Sequence, residues 1–185
     1  NHHYWQYKGE PILLIGGSDD DNLFQWEKDK LEKHLALLAS VGGNYIRNTM
    51  SSRDSGNLEP FHKLENGLYD LNQWNPDYWE SFRNFLEIAS DHDIIVQLEL
   101  WDMHDWYSGN WSKRAFNPDN NINYTSEEAK LPLKIDFGPV HGQANDHPFF
   151  KTHIPGENMD LVRKYQENFV EMVIRSSIEF PNVLY

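Results

Sequence analysis

The sequence predicts an α/β fold in which about four βα units follow an N-terminal β-hairpin. Short apolar runs alternate with longer amphipathic stretches along the chain, which is the pattern of parallel strands joined by crossover helices. The 185 residues are the length of a single domain, which we expect to span 1–185. Aromatic side chains make up 14% of them, and these large rings supply the apolar area that a core needs.

The hairpin and the first strand precede residue 18. Residues 4–7 alternate rings with polar side chains, residues 8–11 (Lys-Gly-Glu-Pro) are typical of a turn, and residues 12–15 form a continuous apolar run before Gly16-Gly17. This order predicts a lead-in hairpin followed by a buried first strand.

Three helices and three further strands follow. Apolar residues recur at helical spacing over 24–41 and 159–179, and between them a second helix begins after Asn75, a typical N-cap, with Pro76 at its first position. Residues 49–74, rich in Ser, Asn and Gly, predict a polar loop. The remaining apolar runs predict strands two, three and four over 44–48, 94–101 and 183–185.

Residues 102–158 have no sustained periodicity and predict a long loop after strand three. Loops of this length are usually functional or disordered, and the many rings favour function. The loop histidines His141, His147 and His153 are too widely spaced to predict a zinc site, although His147 is a candidate for ligand contact. The run that begins at Asp119 lacks the glycine of a calcium loop. We expect neither a metal nor another cofactor.

Composition excludes several classes of partner. The net charge of −13 and pI near 5.0 oppose binding to nucleic acid, which needs clustered Lys and Arg. No apolar run approaches the roughly 20 residues of a membrane helix. After strand one the chain carries the carboxylates of residues 19–21 rather than a glycine-rich phosphate loop, and no Walker motif occurs, so a nucleotide is not expected. The absence of cysteine leaves the compartment open.

Polar and aromatic residues collect at the predicted carboxyl ends of the strands, where parallel α/β folds bind their ligands. Carboxylates, amides, a guanidinium, an imidazole and indoles suit a neutral polyhydroxylated ligand, because rings stack on sugar faces and polar groups bind hydroxyls. Structural roles compete with this reading: an ion pair for Arg47, a loop turn for Asp102 and His104, and a helix N-cap for Asp19. The candidate substrate-binding residues are Asp19, Arg47, Asn48, Glu99, Trp101, Asp102 and His104, with Trp106 and Trp111 from the long loop.

Taken in order, these motifs resemble those of cellulase-like glycoside hydrolases of the large retaining (β/α)8-barrel clan. The resemblance rests on Asn-Tyr-Ile-Arg-Asn at 44–48, Trp-Asn-Pro-Asp-Tyr-Trp at 74–79, Ile-Ile-Val-Gln-Leu-Glu-Leu-Trp-Asp at 94–102 and Pro-Asn-Val-Leu-Tyr at 181–185. It covers nearly the whole chain as the N-terminal half of a TIM barrel. It implies that Arg47 supports a nucleophile, and that Trp101, Asp102 and His104 line the subsite at the scissile bond.

The same resemblance places the catalytic residues beyond Tyr185. In that family an Asn-Glu pair just after strand four holds the acid/base and a Glu after strand seven is the nucleophile, and retaining hydrolysis needs two carboxyl groups roughly 5 Å apart. We therefore assign no catalytic residue and expect the substrate-binding half of a glycoside hydrolase barrel. The alternative is a non-catalytic carbohydrate-binding or structural half-barrel, which would self-associate as a homo-oligomer through its open barrel edges.

Overall fold

The structure is a computed structural model in which residues 4–136 and 146–185 are described. His141 therefore lies outside the described residues. The chain divides into two compact units, and each is described by itself. Unit 1 comprises Asn1–Met50, Glu80–Leu100 and Arg175–Tyr185, and unit 2 comprises Ser51–Trp79 and Trp101–Ile174. No helix in the described part of the chain is long and apolar enough to cross a membrane.

Seven strands and five helices are found in the described residues, together with short 3-10 turns. In chain order they are β1 (Trp5–Tyr7), β2 (Glu10–Ile12), α1 (Lys28–Ser40), β3 (Tyr45–Thr49), β4 (Phe61–Lys63), β5 (Tyr69–Trp74), α2 (Pro76–Asp91), β6 (Ile95–Glu99), α3 (Ser108–Trp111), α4 (Ser126–Ala129), α5 (Asp160–Ser177) and β7 (Val183–Leu184).

Unit 1 is built on a parallel sheet of strand order β3-β6-β7. Successive side chains of a strand point to opposite faces of its sheet. On one face Ile46, Asn48, Val96 and Leu98 are buried, whereas on the other face Arg47 and Glu99 keep access to solvent. The α/β class with a parallel sheet is confirmed, and no closed barrel is formed by residues 4–136 and 146–185. The half-barrel stays a proposal.

The lead-in hairpin is confirmed, but the predicted first strand over residues 12–15 is wrong in its extent. Ile12 ends β2 of the antiparallel β1–β2 hairpin, and residues 13–15 belong to no strand. Asn44 bonds to this segment with both its backbone and its side chain. The Asn44 amide donates to the Ile15 carbonyl at 2.8 Å, its Oδ1 accepts from the Ile15 amide at 2.8 Å and its Nδ2 donates to the Leu13 carbonyl at 3.0 Å. Leu13 and Ile15 are 68% and 55% exposed, so the run is not buried.

Gly16 lies where the backbone of Tyr45 approaches closely. A Cβ added there would lie 1.7 Å from the Tyr45 carbonyl oxygen, whereas a Cβ on Gly17 would meet nothing within 4 Å. We expect Gly16→Ala to lower the free energy of unfolding by about 3 kcal/mol, because backbone must move to admit the methyl group. Gly17→Ala is the matched control and should change it little. Equal urea midpoints for the two variants would contradict this packing.

The three long helices lie close to their predicted positions. α2 begins at Pro76 as predicted, with Asn75 Oδ1 accepting from the Asp77 amide at 3.1 Å, and α5 lies within the predicted range 159–179. α1 starts later than the predicted residue 24. Leu23–Gln25 form a 3-10 turn instead, in which the Phe24 amide donates to Asn48 Oδ1 at 3.3 Å.

Unit 2 contains structure that the sequence analysis missed. The predicted polar loop over 49–74 holds the antiparallel hairpin β4–β5. Its turn contains Asn66-Gly67, with Gly67 at a φ of 85°, and Asn-Gly between alternating strands is a strong hairpin signal.

The loop over 102–158 forms only short helices in its described part. Its rings pack into an aromatic core, with Trp106 stacked on Phe149 at 3.7 Å between ring centroids.

Candidate functional site

Arg47 lies at the centre of an accessible polar face in unit 1. Its Nη2 is 3.6 Å from Asp21 Oδ2 and its Nε is 3.5 Å from Glu99 Oε1. Both distances exceed the usual length of an N–H···O hydrogen bond, so these contacts are loose ion pairs. The Arg47 side chain is 51% exposed. A guanidinium held between two carboxylates at an open surface can donate hydrogen bonds to an incoming polar ligand.

A chain of hydrogen bonds continues this face along the sheet. Gln97 Nε2 donates to Glu99 Oε1 at 3.2 Å, and the Tyr45 hydroxyl donates to Gln97 Oε1 at 2.6 Å. Thr49 anchors Asp21, because the Thr49 hydroxyl donates to the Asp21 carbonyl at 3.0 Å. We call these side chains the Arg47 face; its members are Asp21, Tyr45, Arg47, Gln97 and Glu99.

Only part of the Arg47 face was predicted from the sequence. The structure brings the predicted residues Arg47 and Glu99 together, but Tyr45 and Gln97 were missed. Strand parity could have found them, because Tyr45 shares a face with Arg47 and Gln97 shares one with Glu99. Asp21 has no such signal, since its place depends on the path of the loop before α1.

Asp19 and Asn48 lie apart from this arrangement. Asp19 is exposed, and its carboxylate lies 3.9 Å from the His34 ring. Asn48 is fully buried on the opposite face of β3, where its Oδ1 accepts from Phe24 and its Nδ2 donates to the Thr49 carbonyl at 3.0 Å. In this position the Asn48 amide braces the backbone of unit 1.

The predicted residues directly after β6 belong to unit 2. Asp102 is buried, accepts from the His104 amide at 2.8 Å as the N-cap of the 3-10 turn Met103–Trp106, and forms an ion pair with Arg53. Trp101 is partly exposed and packs on Phe169, with ring centroids 4.9 Å apart. His104 is exposed, which leaves its ring available to a ligand.

The loop rings Trp106 and Trp111 are enclosed by the aromatic core of unit 2. Trp106 is 3% exposed and Trp111 fully buried, with the Trp111 Nε1 donating to the Pro132 carbonyl at 2.7 Å. A ring needs an accessible face to stack on a sugar, so both rings contribute packing in this structure. His147 is fully buried too: its Nδ1 accepts from the Phe149 amide, and burial lowers its pKa to about 4.

Two groups of charged or amide side chains in unit 2 also escaped the sequence analysis. In the first, Arg114 Nη1 lies 3.4 Å from Glu59 Oε1 and 3.6 Å from Asp105 Oδ1. We call these three residues the Arg114 cluster. In the second, hydrogen bonds from Asn123, the Asn72 amide and Gln73 lower the pKa of Asp70 to about 2. Each group includes a residue far away in sequence, Glu59 in the first and Asn123 in the second, and no local pattern indicates that contact.

The structure offers no candidate metal centre within residues 4–136 and 146–185, where no three acidic or histidine side chains are suitably grouped. The run from Asp119 is committed to backbone contacts instead. Asn121 Nδ2 donates to the Ala115 carbonyl at 3.0 Å, and Asn123 Oδ1 accepts from the Leu71 amide at 2.6 Å.

Comparison with known proteins bears on the fold. No protein-family model matches the chain, and no curated protein matches its sequence. Among solved structures it is similar to a glycoside hydrolase family 5 mannosidase from Rhizomucor miehei, with 14% identity, a TM-score of 0.53 and coverage of 95% of this chain and 43% of that one. It is also similar to endo-glycoceramidase II from Rhodococcus sp., in a complex with cellobiose-like isofagomine, with 17% identity, a TM-score of 0.50 and coverage of 98% and 41%.

These similarities concern the fold alone, since both identities are low. The chain spans 43% and 41% of the lengths of the two proteins. The resemblance to cellulase-like glycoside hydrolases is therefore confirmed at the level of the fold: the chain has the α/β fold of part of these enzymes.

Proposed function

We propose that this chain binds an oligosaccharide through the Arg47 face of unit 1. The single observation that carries the proposal is an exposed guanidinium held loosely between two carboxylates, on the accessible face of a parallel sheet and beside Glu99 at the carboxyl end of β6. The carboxyl ends of parallel strands are the usual ligand position in such folds. The two similar structures are of a glycoside hydrolase family 5 mannosidase and of an endo-glycoceramidase in a cellobiose-like isofagomine complex, which supports a carbohydrate as the ligand.

The chemistry of the face suits sugar hydroxyls. Arg47 supplies donors, the carboxylates of Asp21 and Glu99 supply acceptors, and the amide of Gln97 supplies both. Each sugar hydroxyl donates and accepts, so alternating donors and acceptors along one face can bind neighbouring hydroxyls in pairs. For unit 2 taken by itself, the resemblance stated for the sequence makes Trp101 and His104 candidates for ligand contact.

We expect binding without cleavage for the chain 1–185 by itself. The resemblance matches no residue of this chain to either catalytic glutamate, and hydrolysis with retention requires such a pair. The alternative, self-association of a half-barrel, stays a prediction. The exposed apolar side chains of Leu13 and Ile15 favour it.

Titration of the purified protein with β-1,4-linked gluco- and manno-oligosaccharides tests the proposal. We expect a saturable change in tryptophan fluorescence with six-unit sugars and a weaker one with disaccharides, because a longer chain makes more contacts. Aryl glycosides incubated with the same preparation should stay intact. The absence of a saturable change with every sugar would contradict carbohydrate binding.

A further inference from the structure

The Arg114 cluster places two carboxylates on one guanidinium in the interior of unit 2. The side chains of Arg114, Glu59 and Asp105 are 7%, 9% and 9% exposed. When both carboxylates are ionised, the cluster carries one excess negative charge. Burying a charge that lacks a full partner is costly, so the ionisation of either carboxylate acts against the packing around it.

The cluster also joins segments that are distant in sequence. Arg114 Nη2 donates to the Ser52 carbonyl at 2.7 Å, and the Ser51 hydroxyl donates to Asp105 Oδ1 at 2.8 Å. Both contacts hold the segment 51–53, which follows β3 in the chain, to the turn that contains Asp105. The charges on Glu59 and Asp105 therefore act directly on the groups that hold these two segments together.

Other charged and titratable groups face the cluster. Lys63 on β4 and Tyr69 on β5 interact with Glu59, as does Tyr78 at the start of α2. Arg53 faces Asp105 but is already paired with Asp102. Lys63 is exposed, where solvent screens its charge. The response of the cluster to pH therefore depends mainly on the interaction of Arg114 with its two carboxylates.

We propose that the Arg114 cluster is a pH-sensitive latch in unit 2. With Glu59 protonated, Arg114 forms an ion pair with Asp105 and donates a hydrogen bond to the Ser52 carbonyl. These contacts hold the segments 51–53 and 102–105 together. With Glu59 ionised, two carboxylates compete for one guanidinium, and the contacts between the segments 51–53 and 102–105 weaken. The inference is independent of carbohydrate binding, because it concerns only the buried groups of this unit.

The titration behaviour agrees with this geometry. Burial raises the pKa of Glu59 from its ordinary value of 4.5 to about 7, against the opposing effect of Arg114, and burial also raises the pKa of Asp105. A raised carboxyl pKa stabilises the folded state fully below pH 4.5. That stability is lost as the pH rises from 4.5 through 7. The latch is thus closed in mild acid and loosened at alkaline pH.

Amide hydrogen exchange at pH 5 and pH 8, corrected for intrinsic exchange rates, tests the latch. We expect protection in segments 51–59 and 102–116 to fall at least tenfold between the two values, because each unit of pKa shift changes the equilibrium tenfold. Protection in β3 and β6 of unit 1 should change less. Glu59→Gln should keep high protection at both values, since its amide never ionises.

A matched control is Asp70→Asn, which changes a carboxyl group of the same unit with its pKa near 2, outside the range tested. It should leave the pH dependence of segments 51–59 and 102–116 intact. Wild-type protection that is independent of pH, or an unchanged pH dependence in Glu59→Gln, would overturn the proposal. If Glu59→Gln does not fold, infrared spectra of wild-type protein with 13C-labelled glutamate test the proposal instead. The band of a protonated glutamic acid should be present at pH 5 and should be lost towards pH 8 in parallel with the loss of protection. Absence of this band at pH 5 would overturn the latch.

Discussion

Replacing Arg114 with Met lowers the free energy of unfolding by about 4 kcal/mol at pH 7. The substitution removes the cation that the buried carboxylates of Glu59 and Asp105 share, and removal of one member of a buried ionic group costs about 3–5 kcal/mol. It also removes the hydrogen bond to the Ser52 carbonyl. The loss should be smaller at pH 5, where Glu59 holds its proton, and larger at pH 8.

Urea unfolding of two further variants checks this prediction. Adding Glu59→Gln to Arg114→Met should recover part of the stability, because one of the two uncompensated charges is gone. Arg83→Met is the surface control. Its guanidinium also has two carboxylate partners, Glu87 and Glu179, but it is half-exposed, so its loss should cost far less than that of Arg114. Equal losses for Arg114→Met and Arg83→Met would contradict the structural role of the cluster.

Replacing Arg47 with Met weakens oligosaccharide binding at least tenfold and leaves stability nearly unchanged. Hydrogen bonds to a charged group contribute about 1.5–3 kcal/mol each, and the loss of one such bond to a ligand is enough for this effect. Stability should change by less than about 1 kcal/mol, because the ion pairs of Arg47 are long and half-exposed. Calorimetric titration of the variant with the sugar that binds wild type most tightly measures the affinity.

Arg83→Met is again the matched control for Arg47→Met. The two arginines belong to unit 1, have almost the same exposure at 50% and 51%, and each faces two carboxylates. Only Arg47 lies on the proposed ligand face, so Arg83→Met should bind with wild-type affinity. Equal weakening in the two variants would mean that net charge, rather than the Arg47 face, controls binding.

Local patterns were sufficient to predict much of unit 1. Alternation and apolar content over 44–48 and 94–101 predicted β3 and β6, and the Asn75-Pro76 pair predicted the start of α2. Arg47 and Glu99 could be named as site residues because both lie near the carboxyl ends of strands. Tyr45 and Gln97 lie two residues before Arg47 and Glu99 on the same strands. Because side chains alternate between the two faces of a strand, a stricter use of this alternation would have added Tyr45 and Gln97 to the predicted site.

The remaining features depend on contacts between distant residues. The apolar run over 12–15 predicted a strand, but residues 13–15 are bonded to the backbone and side chain of a single residue, Asn44, and form no ladder. Arg114 lies 62 residues from Ser52 in sequence, and nothing near either residue indicates the contact. The rings of Trp106 and Trp111 looked available because the loop lacks periodicity, whereas they pack against one another and Trp106 stacks on Phe149.

Chemical-shift mapping of isotope-labelled protein during titration with a six-unit β-1,4-linked oligosaccharide tests the central claim most directly. Binding at the Arg47 face predicts concentration-dependent shifts of the Arg47 Nε–H and the Gln97 side-chain amide, with the Arg83 Nε–H unmoved. Saturable shifts confined to residues outside the Arg47 face, or none with any sugar tested, would contradict the account.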